Sequence, residues 1–96
     1  MAIQSFSDKV TEEFFVSGRL KARVKWASVK KVARRKLDMV HYATSLQDLK
    51  VPPANRLEAL KGDLKGFHSI RINDQWRVVF RWADIGPMDV YIDDYH

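Results

Sequence analysis

The chain closes on Asp93-Asp94-Tyr95-His96, which brings carboxylates, a phenol and an imidazole to one terminus. Imidazole is suited to proton transfer because its unperturbed pKa lies near ~6.5. The terminal carboxylate and Asp94 favour the charged, acidic form of His96. Tyr95 can hydrogen-bond an anion or share a proton, although a phenol pKa near ~10 makes it a poor base unaided. Upstream, Arg77 offers a planar guanidinium fork matched to phosphate oxygens. Such a set fits cleavage of RNA, which carries its own nucleophile in the 2′-hydroxyl. That reaction needs help in removing the 2′ proton, a cation for the charge building on phosphorus oxygens, and an acid for the departing 5′-oxygen. No metal or cofactor is required. A terminal His is also commonly just a frayed end, so these residues alone leave the matter open.

Other chemistry finds less support. His41, His68 and His96 lack the short spacing of a zinc site, and there is no cysteine. His41 falls in a helical stretch and reads as structural. His68 shares strand parity with Ile70 and Ile72 and reads as a core or interface residue. Neither a phosphate-loop glycine pattern nor a Gly-x-Ser-x-Gly elbow is present.

The elements that must position these groups follow from the apolar spacing. Residues 2–6 are expected as a short first strand, with Ser7 as the N-cap of a helix over 8–16 that Gly18 ends. Trp26, Val29, Ala33, Leu37, Val40 and Thr44 recur at spacings of three and four and predict a second helix. Lys30, Lys31, Arg34 and Arg35 fall largely off that stripe. From residue 56 the pattern turns to strands, with 56–61 as one candidate and KGDLKG (61–66) as a turn. Residues 67–72 and 76–82 alternate around Asn73-Asp74, which predicts a hairpin. Met88, Val90 and Ile92 then alternate with Asp89, Tyr91 and Asp93. If Ile70, Val78 and Val90 face the helices, the opposite face carries Arg71, Arg77, Arg81, Asp89 and Tyr91. The expected fold is α+β, with N-terminal helices on one face of a small antiparallel sheet.

Ninety-six residues make a single domain (1–96) with 46% hydrophobic and 11% aromatic residues, enough for a small core. No apolar run is long enough for a signal peptide or a membrane span, so the expected location is the cytoplasm. Of seventeen basic residues, nine lie between Phe14 and Leu37, a stretch with no acid, while Asp84, Asp89, Asp93 and Asp94 reverse the sign at the other end. That asymmetry suggests a nucleic acid or an acidic protein partner, against the plainer reading of a solvated helix face.

The segment Leu57-Glu58-Ala59-Leu60-Lys61-Gly62-Asp63-Leu64-Lys65-Gly66 resembles the L-x-x-L-K-G-D-L-K-G signature of HigB toxins. Ser69-Ile70-Arg71-Ile72-Asn73 and Trp76-Arg77-Val78-Val79-Phe80 resemble that family's S-I-R-V-N and W-R-I-x-F strands. Asp94-Tyr95-His96 resembles its terminal E-D-Y-H, and Ile3 to Phe6 its I-x-S-F. The resemblance spans nearly the whole chain, and the order and spacing of the motifs make it specific. It implies a compact RelE-like, microbial-RNase-type fold and ribosome-dependent cleavage of messenger RNA. It also implies inhibition by a helix-turn-helix antitoxin, HigA, with operator DNA bound only through the toxin–antitoxin complex. Asp94, Tyr95 and His96 match the family's catalytic end, Arg77 a phosphate-contacting arginine, and Lys61 a lysine near bound RNA. Lys65, Arg71, Gln75 and Arg81 are expected to contact the same RNA, and Lys30, Lys31, Arg34 and Arg35 the ribosome or the antitoxin. Glu58 stands where several relatives carry a catalytic His. A carboxylate can accept a proton but cannot reproduce a cationic imidazole. Two other readings are a gyrase poison of the ParE type, which shares the fold, and a non-catalytic RNA- or ribosome-binding module.

Overall fold

A computed structural model describes residues 2–94. Helix α1 (Lys9–Ser17) begins at Asp8, one residue later than the sequence suggests, because the Asp8 carboxylate accepts from the Thr11 N–H at 2.6 Å. A carboxylate can cap the otherwise unsatisfied first-turn amides. Ser7 instead donates its hydroxyl to the Asp89 carbonyl. Gly18 closes α1 in the left-handed conformation, its N–H returning to the Phe14 carbonyl. Helix α2 (Lys30–Tyr42) follows a single 3-10 turn, Ala27–Val29. It buries Ala33, Leu37 and Val40, as the periodicity predicts, and ends at Ala43. Thr44 lies off that stripe. Its N–H and hydroxyl both donate to Asp48, within another 3-10 turn, Leu46–Lys50, capped by Ser45.

Strands β1 (Glu58–Ala59), β2 (Phe67–Arg71), β3 (Trp76–Ala83) and β4 (Gly86–Asp94) form one antiparallel sheet in the order β1-β2-β3-β4. Both helices lie against one face, where Phe14, Leu37 and Val40 join Ile70, Val78, Phe80, Val90 and Ile92 in a single core. The expected strand over 56–61 contracts to two residues, since Arg56 takes a left-handed φ of 46°. The expected first strand becomes one parallel bridge, Phe6 to Val90, supported by Gln4 and Ser7 amides on the carbonyls of Pro87 and Val90.

A bulge alters the reading of β4. Val79 pairs with Tyr91 and Arg81 with Met88, so Phe80 alone faces both Asp89 and Val90. Asp89 absorbs the extra residue at φ 54°, a region that Asp tolerates better than most side chains. Simple alternation places Met88 with Val90 and Ile92 on the core face. The bulge flips that parity and sets Met88 opposite Arg81, on the outer face.

Candidate active site

The outer face of the sheet is organised in cross-strand rows. Glu58 pairs with Ser69, Ser69 with Val79, and Val79 with Tyr91. The neighbouring row runs Arg71, Arg77, Asp93. Rows two residues apart along a strand are separated by roughly 7 Å. Glu58 and Arg77 therefore belong to adjacent rows of one surface, although they are nineteen positions apart in the chain.

Arg77 is the most enclosed cation on this face, 7% exposed. Its Nη1 donates to the Asn73 carbonyl at 2.5 Å and to the Trp76 carbonyl at 3.3 Å. The Asn73 side chain in turn accepts from the backbone N–H groups of Gln75 and Trp76. This is the turn chemistry that Asn favours. The hairpin turn thus fixes the guanidinium, a group with several rotatable bonds that would otherwise lose conformational freedom on meeting an anion.

An open cleft of about 530 Å³ lies over these rows. Glu58, Lys61, Arg77, Asp93 and Asp94 supply its polar lining, with Leu60, Leu64 and Val79 as apolar walls and Ser69 beneath. The short β1 strand and the 3-10 turn Gly62–Leu64 bring Glu58 and Lys61 to the rim. Gln75 Nε2 donates to Asp94 Oδ2 at 3.1 Å, tethering the carboxylate that leads into the last two residues. Tyr95 and His96 fall outside the described residues. Among the described residues, no group of three His, Cys, Asp or Glu is arranged to hold a metal ion.

Glu58, Lys61, Arg77 and Asp94 thus share one cleft, whereas the other candidate residues lie elsewhere. Arg81 is ion-paired with Asp89 at 2.7 Å and lies over the Phe67 ring. Arg71 pairs with Asp74 and lines a different groove. Lys65 is exposed and does not line the cleft, and Gln75 acts on Asp94. On α2, Lys30, Lys31 and Arg35 are exposed. Arg34 is engaged by Asp38 at 3.3 Å and lies over the Phe15 ring.

Burial and Asp93 raise the Tyr91 phenol above its ordinary range, which keeps it neutral beside the cleft. His68 is held below its usual range by burial and stacks on Phe80. His41 accepts from the Ile3 N–H through Nδ1 and packs against Phe15, so it anchors the N-terminal segment. Sequence reasoning did not single out Ser69 or the leucines of the cleft, and gave Asp93 no role. It counted Lys36 only as one of the nine cations between Phe14 and Leu37, whereas that residue is buried. The parity of Ser69 with Arg71 was a usable signal, but the depth of the cleft was not.

Residues 4–96 match the family model described as a RelE-like toxin of the type II toxin–antitoxin system HigB. Toxin HigB-1 of Vibrio cholerae is 38% identical over 95 residues, covering 99% of this chain and 98% of that protein. An uncharacterized protein of Haemophilus influenzae is 30% identical over 92 residues, covering 96% and 90% respectively. Among solved structures, a YoeB/ParE toxin from Agrobacterium tumefaciens superposes with a TM-score of 0.56 over the full length of both chains, at 20% identity. That likeness supports the RelE-like fold.

Proposed function

From the premise that the chain belongs to the HigB-like toxins, RelE-like members of type II toxin–antitoxin systems, we propose that it is a ribosome-dependent messenger-RNA endonuclease. Such a toxin implies an antitoxin partner. We read that partner as a helix-turn-helix protein of the HigA type, through which alone the complex meets operator DNA. One observation carries the nuclease reading: Arg77, fixed by the β2–β3 turn, shares an open cleft with Glu58, Lys61 and Asp94.

In this mechanism the 2′-hydroxyl of the RNA attacks the adjacent phosphorus, its proton leaves to a base, and the bond to the 5′-oxygen breaks as that oxygen is protonated. The products are a 2′,3′-cyclic phosphate and a free 5′-hydroxyl, with no net gain or loss of protons. Arg77 faces the phosphorus oxygens, where a preorganised cation is worth most as negative charge accumulates. Glu58 is assigned the role of proton acceptor. His96 is assigned the acid and Tyr95 a hydrogen bond to the phosphate, on the family resemblance. Asp94, held by Gln75, positions that terminal pair. Lys61 adds positive charge at the rim.

The cleft is open, so the chain by itself imposes little order on a flexible RNA strand. A ribosome holding the message in line would supply that order. The exposed cations Lys30, Lys31 and Arg35 of α2 are suited to ribosomal RNA or to an acidic antitoxin surface. No helix among the described residues is long and apolar enough to cross a membrane, and the proposed site of action is the cytoplasm.

The test maps 5′ ends of messages after induction and compares translating ribosomes with naked RNA. Cleavage is expected on ribosomes and little on naked RNA. Equal cutting of both would remove the ribosome from the proposal. Growth arrest that survives both Arg77→Ala and His96→Ala would remove the nuclease.

A further inference from the structure

Lys36 is the last cation of the basic run, yet it is only 7% exposed. Its Nζ donates to the Asn55 amide oxygen at 2.6 Å. Among the described residues no carboxylate is within ion-pair distance of it. Burial, and secondarily the Arg35 guanidinium, hold it below the usual lysine range. An ammonium withdrawn from water beside another cation and balanced by a neutral amide is unfavourable for the empty fold.

The same side chain lines an open groove of about 480 Å³ with Arg35, Arg71 and Asn73. Cations from α2 and β2 therefore converge on one depression. Only Arg71 carries a counter-charge, Asp74, whose side chain is 94% exposed and screened by water. The groove shares no lining residue with the cleft but neighbours it across the β2–β3 hairpin. Arg71 is the direct cross-strand partner of Arg77, which places their Cβ atoms about 5 Å apart. Asn73 lines the groove and also accepts the Arg77 hydrogen bond, so the β2–β3 turn lies between the two.

We propose that this groove binds a backbone phosphate of the RNA strand whose scissile phosphate enters the cleft, with Lys36, Arg35 and Arg71 as its donors. The proposal rests on the nuclease reading and extends it to a second phosphate position. A phosphate supplies the missing counter-charge at Lys36 and fits the guanidinium forks. Proximity to the cleft, through the paired Arg71 and Arg77, favours a nucleic acid strand over a free-standing acidic peptide.

The probe is a short 2′-O-methyl oligoribonucleotide, which has no free nucleophile, bound to the full chain and followed by fluorescence anisotropy across salt concentrations. Arg35→Gln and Lys36→Met should each weaken binding several-fold at low salt. Each should also flatten the slope of log affinity against log salt by about 0.7, the share of one phosphate on a single strand. Lys9→Gln, on α1, should change neither. Arg35 is exposed, so its variant reports even where Lys36→Met fails to fold. Unchanged affinity and slope in Arg35→Gln overturn the proposal. Retained RNA affinity with loss of poly-glutamate binding overturns it in favour of an acidic protein partner. Weakened RNA binding in the variants, with no message cleavage by the unaltered protein on ribosomes, leaves the phosphate groove standing and removes the nuclease.

Discussion

Arg81 and Asp89 meet at the β3–β4 bulge, where guanidinium Nε and Nη2 both reach one carboxylate oxygen, at 2.8 and 2.7 Å. Asp89 also accepts from the Ser5 hydroxyl, and its own N–H donates back to Ser5 Oγ. The bulge is thereby tied to both the sheet and the N-terminal segment. It also commits Arg81 to a structural partner, although strand alternation gives it the same standing as Arg77.

Asp89→Ala is expected to destabilise the fold by about 1–2 kcal/mol. The ion pair is partly exposed and contributes modestly, and Ala fits the left-handed backbone less well than Asp. Asp89→Asn should cost less. Urea unfolding of the two variants measures the difference, and equal stabilities would show that backbone conformation plays no part. Arg81→Gln should reduce message cleavage far less than Arg77→Gln.

Arg77→Ala should lower the single-turnover cleavage rate on ribosomes by about 100- to 1000-fold, the usual cost of removing a preorganised donor to transition-state charge. It should also destabilise the fold by about 1–3 kcal/mol, because the Asn73 carbonyl loses a charged, buried donor. Arg77→Lys keeps the charge but lacks the planar fork, so it should restore little activity. A loss confined to ribosome binding would contradict the role given to this guanidinium.

Glu58→Gln tests the proton acceptor. The amide is nearly isosteric but cannot take the 2′ proton, so the rate should fall at least about tenfold with ribosome affinity unchanged. Glu58→His, which supplies the imidazole that the family resemblance implies at this position, should retain or raise the rate. An unaltered rate in Glu58→Gln would move proton abstraction to the terminal residues.

Stability should fall on the acid side because of His68. Its pKa in the folded chain is depressed below 6.5 by burial. Above 6.5 the ring is neutral in both states and carries no penalty. As pH falls from 6.5 through the lower folded value, the unfolded chain takes up its proton first, and folding weakens. His68→Phe, which keeps the ring against Phe80, should flatten the decline measured by unfolding between pH 7 and pH 5. An identical pH profile in the variant would exclude His68 as the source.

Removing residues 95–96 should abolish cleavage and growth arrest but keep cooperative melting. Among the described residues the buried hydrophobic ones run from Phe14 to Ile92. Loss of the melting transition would assign the terminal pair a structural role.

Local pattern was enough to read both helices, the hairpin at Asn73-Asp74 and the antiparallel α+β architecture. Each depends on periodicity or turn chemistry within a few residues. The motifs also reached the family, and with it Arg77, Lys61 and Glu58 as residues to examine. Tertiary structure alone decided which of three arginines on one sheet face enters the cleft. Alternation assigns a side chain to a face, but the partner each guanidinium meets in the folded hairpins then fixes its direction: the Asn73 carbonyl for Arg77, Asp74 for Arg71 and Asp89 for Arg81. The same holds for Met88, displaced from the core by a bulge that simple strand alternation does not anticipate. It holds too for Lys36, whose burial depends on Asn55, nineteen residues away, folding back over α2.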